Sequence, residues 1–179
     1  MARMLKSCAL AAVILTVLFA ALYRGCGVSI AFAITFGTTA YHLCMRLLVG
    51  AVYDTLLHNR VDPDKKWFQE KTWEPGLYKK LGVKAWKSRM PTYDTAAFDP
   101  KCHTWDQIVQ AMCQSELVHE TIVVLSFLPL FAAIPFGALP VFLITSLLAA
   151  GYDLLFVILQ RYNRPRIRRL LNRGSKSNR

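Results

Sequence analysis

Four long apolar runs decide most of what this chain can fold into: residues 8–23, 28–57, 117–134 and 136–159. About 20 apolar residues cross a bilayer as a helix, so the first run, CALAAVILTVLFAALY, is short and the second has length to spare. The first run sits behind Arg3 and Lys6 and reads as a membrane anchor or a signal peptide. The anchor fits better, because Tyr23-Arg24-Gly25-Cys26 is a poor small-residue cleavage site and a second apolar run follows at once. The last two runs are separated by a few residues around Pro135-Phe136-Gly137 and read as a second hairpin, with Pro129 and Pro140 placed to kink its helices. The expected fold is an all-α integral membrane protein with about four transmembrane helices in two hairpins. The alternative is the buried helical core of a soluble protein. The expected divisions are an N-terminal hairpin at 1–57, an interfacial segment at 58–115, a C-terminal hairpin at 116–160 and a basic tail at 161–179.

Charge supports the membrane reading. Of 179 residues, 54% are hydrophobic and 18% charged, against about 25% charged in average soluble domains. The net charge of +11 also suits nucleic-acid binding, so the position of the charges decides. Cations lie at Arg3 and Lys6, throughout 58–115 and most densely in the tail, whereas the two external turns hold only Arg24. The positive-inside bias then puts both termini and the 58–115 segment on the cytoplasmic side of the cell membrane, and no nucleic-acid partner is expected. From Arg161 to the chain end there is no acidic residue, so the tail suits anionic headgroups or a phosphorylated ligand. The five cysteines form no C-x-x-C pair.

Residues 58–115 hold all four tryptophans, Trp67, Trp73, Trp86 and Trp105, among lysines. Trp and snorkelling Lys favour the membrane interface. Leu77, Leu81 and Val83 to Trp86 suggest short amphipathic helices, interrupted by Gly76 and Gly82 and punctuated by Pro63, Pro75, Pro91 and Pro100.

Ionisable groups within membrane helices are costly and point to function or internal pairing. His42 and Arg46 share a helix face, Asp54 and His58 are again four apart, and Glu116, His119 and Glu120 open the third helix. Asp153 lies two turns before Gln160 on the fourth. Glu116-x-x-His119 is the sharpest element, since a carboxylate beside an imidazole fixes its tautomer and raises its basicity. The structural alternatives are an Arg46–Glu116 or Arg46–Asp54 ion pair, or a histidine bonded to a carbonyl. No metal site is expected: a di-iron bundle needs two Glu-x-x-His helices and this chain has one, and zinc held by His103 and His119 with a carboxylate is a weak alternative. There is no glycine-rich phosphate loop, G-x-S-x-G elbow or H-x-x-x-x-D pattern.

Three stretches resemble the glycosyl-4,4'-diaponeurosporenoate acyltransferases of staphyloxanthin-type carotenoid biosynthesis. They are Gln160-Arg161-Tyr162-Asn163-Arg164-Pro165-Arg166, the aromatic-rich segment from Leu77 to Val83-Lys84-Ala85-Trp86-Lys87 with Trp73-Glu74 upstream, and Glu116-Leu117-Val118-His119. The similarity runs from about Arg60 to Arg173, and the N-terminal hairpin departs from it. The resemblance implies transfer of a fatty acyl group from an activated donor, acyl-CoA or an acyl-carrier thioester, to a sugar hydroxyl. The acceptor it implies is a glycosylated isoprenoid, a carotenoid, or a related membrane glycolipid. No cofactor is implied beyond the thioester, which is a donor substrate. In these terms His119 is the base and Glu116 its orienter. Arg161, Arg164 and Arg166 grip phosphates, Asn163 is an oxyanion donor, and Trp73 and Trp86 line a lipid slot with the last helix pair. Glu74, Lys87, His42 and Arg46 complete the candidates for substrate or donor binding. The alternative from another class is a non-enzymatic membrane scaffold or lipid-binding subunit.

Overall fold

A computed structural model describes residues 2–22, 27–91 and 96–177. Arg24, the cation expected in an external turn, and Cys26 lie outside the described residues. The helices are α1 (Ala2–Ala21), α2 (Gly27–Leu57), α3 (Glu74–Lys80), α4 (Val83–Trp86), α5 (Trp105–Leu125), α6 (Ala133–Phe136) and α7 (Leu139–Ser177). Short 3₁₀ turns at Lys66–Phe68, Lys87–Arg89, Ala96–Phe98 and Leu128–Ala132 join them, and no strand occurs among the described residues. Four segments are long and apolar enough to cross a membrane: Arg3–Ala21, Val28–Leu57, Trp105–Phe136 and Leu139–Arg169. Their outward faces keep large apolar side chains exposed, among them Val17, Leu48, Val124 and Leu148. Water penalises such a continuous apolar surface and lipid does not. The chain is an all-α, multi-pass membrane protein.

The chain forms two compact units, residues 1–52 with 121–153, and residues 53–120 with 154–179. In the first, Phe19 of α1 stacks on Phe32 and Phe36 of α2 at ring separations of 5.0 and 5.7 Å. The buried stripe of α2 is Thr38, His42, Met45 and Val49, and that of α7 begins Phe142, Ser146, Ala150, Asp153. Intervals of three and four residues keep each set on one helix face. In the second unit the same α7 spacing continues through Val157, Gln160 and Arg164. There Val61, Phe68 and Cys113 make one apolar cluster, and Tyr78, Val83 and Tyr162 another.

Several element boundaries differ from the sequence expectation. The third long helix opens at Trp105, so Glu116 lies three turns inside α5. Its start is a capping box: Gln107 N donates to Thr104 Oγ1 (3.3 Å), and Thr104 N donates to Gln107 Oε1 (2.9 Å). Pro129 does not kink α5, which stops at Leu125 before the 3₁₀ turn that contains this proline. Pro140 is the second residue of α7, where its missing N–H has no intrahelical partner to lose. Gly137 at φ 67° supplies the left-handed residue between α6 and α7. The basic tail continues α7 through Pro165 to Ser177. His58 leaves the Asp54 face, because α2 ends at Leu57 and His58 and Asn59 both take positive φ. The Asn59 amide then donates to Gln114 Oε1 at 2.7 Å.

Candidate functional site

The second unit buries two carboxylates and two guanidiniums in one connected network. Arg161 and Arg164 are three residues apart on α7 and so share a face. Glu116, 0% exposed, stands between them: Arg161 Nη1 donates to its Oε1 at 2.5 Å and Arg164 Nη1 donates to its Oε2. Arg161 also donates from Nε (3.0 Å) and Nη2 (2.7 Å) to Glu74 Oε1, and the Tyr78 hydroxyl donates to Glu74 Oε2 at 2.7 Å. Arg164, 2% exposed, ends the chain by donating from Nη2 to Phe68 O (2.6 Å), with its guanidinium over the Phe68 ring. The two charges of each sign cancel, and Arg161 uses all five of its N–H donors. Buried ions are tolerable only when paired and bonded in this way.

This geometry changes two of the roles implied by the resemblance. Both Glu116 oxygens face guanidinium groups, so its carboxylate clamps α7 and is not poised on His119. Arg161 and Arg164 are committed to carboxylates and to the carbonyls of Trp67, Gln69 and Phe68, which removes them as phosphate ligands. His119 lies one turn beyond Glu116, half-buried, its ring stacked on Phe156 at 4.6 Å and 8°. The neighbouring Glu120 accepts from Trp67 Nε1 at 2.9 Å.

A second set of predicted residues gathers around Tyr162. The guanidinium carbon of Arg166 is 3.4 Å from the Tyr162 ring centroid and Lys87 Nζ is 5.1 Å from it, while Tyr78 meets the ring edge-on. Lys87 Nζ also donates to Asn163 Oδ1 at 3.2 Å, leaving the Asn163 amide NH₂ as a donor. Trp86 packs on the Tyr78–Val83–Tyr162 cluster and donates to Leu81 O. An open pocket of about 290 Å³ adjoins them, bounded by Glu70, Tyr78, Lys79, Lys84, Tyr162 and Arg166. Trp73 is 58% exposed and lies beside Lys71.

His42 and Arg46 belong to the first unit and form a cluster of their own. Arg46 pairs with Asp153, not with Asp54 or Glu116, and its guanidinium also reaches Ala149 O (3.3 Å) and His42 O (3.4 Å). Asp54 is exposed. Both His42 ring nitrogens and Ser146 Oγ are buried without a hydrogen-bond partner among the described residues. An apolar cavity of about 520 Å³ in this unit is lined by residues such as Ile34, Tyr41, Pro129 and Phe142. Since Ser146 Oγ has no bond among the described residues, Ser146→Ala is expected to leave the melting temperature in detergent unchanged or to raise it. A drop of several degrees would show a partner for this hydroxyl.

Sequence reasoning placed Tyr78, Tyr162, Lys79 and Lys84 in the motifs that carry the resemblance but gave them no role in the site. The signal for Tyr78 was its i+4 relation to Glu74 across α3. Burial, and then the hydrogen bond to Glu74, push the Tyr78 phenol well above its ordinary range. A raised folded-state pKa contributes stability that is present below pH 10 and lost as pH rises beyond it. Tyr78→Phe is therefore expected to flatten the alkaline limb of the stability profile, measured by thermal melts from pH 9 to 11.5. An unchanged limb would count against the Tyr78–Glu74 bond. Among the described residues, no three His, Cys, Asp or Glu side chains are grouped as metal ligands.

Residues 64–173 match the family model of glycosyl-4,4'-diaponeurosporenoate acyltransferase. The matched span contains Glu74, Tyr78, Glu116, His119, Arg161, Arg164 and the residues around Tyr162. Neither curated proteins nor solved structures gave a match to this sequence.

Proposed function

Because the chain belongs to the glycosyl-4,4'-diaponeurosporenoate acyltransferase family, we propose that it moves a fatty acyl group from a thioester to a sugar hydroxyl of a glycosylated carotenoid or related membrane glycolipid, with His119 as base. The donor in this reading is acyl-CoA or an acyl-carrier thioester. The observation that carries it is the family match over 64–173, which takes in the whole ion network and His119. Both chain termini and the 58–115 segment lie on the cytoplasmic side in this reading, where a water-soluble thioester reaches the site.

The sugar hydroxyl attacks the thioester carbonyl while a His119 ring nitrogen takes its proton. The tetrahedral oxyanion collapses, the C–S bond breaks, and the thiolate leaves with the proton returned by the imidazolium. Stacking on Phe156 holds the imidazole plane. The Asn163 amide NH₂, its oxygen held by Lys87, is the proposed donor to the oxyanion. The Glu74–Arg161–Glu116–Arg164 network acts by rigidity, tying α3, α5 and α7 together within the unit.

The test uses the purified protein in lipid nanodiscs with a glycosylated apocarotenoid and either acyl-CoA or an acyl-carrier thioester. Mass spectrometry of the extracted lipids should show an acceptor heavier by one acyl group with one of the donors. No mass gain with either donor overturns the reading.

A further inference from the structure

The pocket of about 290 Å³ beside Tyr162 carries an excess of positive charge that the fold does not neutralise. Lys79 of α3, Lys84 of α4 and Arg166 of α7 line it, and none of them has a carboxylate within ion-pair distance among the described residues. Glu70, the lining carboxylate, is already paired with Arg169 at 2.7 Å. Lys87 adds a fourth cation on the Tyr162 ring. This contrasts with the ion network a turn away on α7, where each guanidinium meets carboxylate oxygens. Three elements thus bring like charges to one concavity, an arrangement that repels itself until an anion enters.

We propose that Lys79, Lys84 and Arg166 form a phosphate-binding site. Arginine offers a planar pair of donors to phosphate oxygens, and lysine supplies mobile ammonium groups. Tyr162 holds Arg166 by stacking, which limits the side-chain ordering that binding would otherwise cost. A pocket of about 290 Å³ lies just below the roughly 300–1,000 Å³ range of small-molecule sites, so it suits one phosphate or a diphosphate and not a whole nucleotide. The phosphate belongs either to a phosphorylated thioester donor or to an anionic lipid headgroup. The donor alternative rests on the acyltransferase reading above, and the lipid alternative does not.

The experiment compares the wild type with the Lys79→Gln/Lys84→Gln/Arg166→Gln variant and with a Lys65→Gln/Lys66→Gln control, all in phosphatidylcholine nanodiscs. Inorganic pyrophosphate is titrated by calorimetry. In a second arm, phosphatidylglycerol is added to the nanodiscs and the lipid retained by the protein is measured by native mass spectrometry. A pyrophosphate affinity at least tenfold weaker in the triple variant, and unchanged in the control, establishes the site for a free phosphate. Retention of phosphatidylglycerol that only the triple variant loses assigns it to a headgroup. Lys84→Gln alone, at an exposed position, should show part of either loss. If the triple variant matches the wild type in both arms, the proposal is wrong. Neither readout uses turnover, so a protein that binds phosphate but transfers no acyl group would refute the acyltransferase reading and leave this site standing.

Discussion

Glu116→Ala should cost the protein most of its folded yield. Its carboxylate is 0% exposed and takes charged hydrogen bonds from two arginines, of which Arg164 is itself 2% exposed. Removing one partner of a buried ion pair leaves an uncompensated charge and costs about 3–5 kcal/mol. Whole domains are stable by about 5–15 kcal/mol. Monodisperse protein recovered from membranes should fall several-fold, and what remains should melt well below the wild type. Glu116→Gln should recover little, because its amide presents a donor to one guanidinium. The double variant Glu116→Leu/Arg164→Leu should recover more than either single leucine variant, since an apolar pair of similar volume is tolerated where a lone charge is not. Arg161 keeps Glu74 in that double variant. A Glu116→Ala protein with wild-type yield and melting temperature would show that the network does not hold the unit together.

His119→Phe should separate the base from the fold. Phenylalanine keeps a ring to stack on Phe156 and deletes both nitrogens, so the role of the nitrogens is read on a protein that retains the stacking contact. Acyl transfer, in contrast, should fall by about 10²–10⁴-fold, the usual contribution of a positioned general base. His119→Ala should lose the same activity together with the stacking contact. Rates are read as acylated acceptor formed per minute at matched protein. If the phenylalanine variant turns over at the wild-type rate, His119 is a packing residue and the base lies elsewhere. A variant that loses both rate and melting temperature assigns the ring a structural role first.

The membrane spans and the short helices of the middle segment were legible because each follows from a local rule. Apolar length marks the spans, and the α3 and α4 helices fall where Leu77, Leu81 and Val83 to Trp86 point. The start of α5 was equally local, in Thr104-x-x-Gln107, and was overlooked because the apolar run begins only at Leu117. The end of α7 was not legible, since the change from apolar to basic composition at Arg161 marks a change of surroundings and not of backbone.

Pairing is a different matter. Glu116 and His119 share a helix face by spacing alone, yet the Glu116 carboxylate turns to Arg161 and Arg164, 45 and 48 residues away. Arg46 passes over Asp54, eight residues on, for Asp153 at a separation of 107. A buried carboxylate gains most from the strongest donors in reach, and a guanidinium offers a charged, forked set that a half-buried imidazole does not. Which donors are in reach depends on how helices far apart in the chain pack. The sequence by itself therefore determined that this is a helical membrane protein of the acyltransferase family, with its polar residues on the buried stripes. Only the tertiary structure decided which of those residues neutralise one another and which cations around a pocket, Lys79, Lys84 and Arg166, have no carboxylate partner among the described residues, because Coulomb energy depends on distance in space.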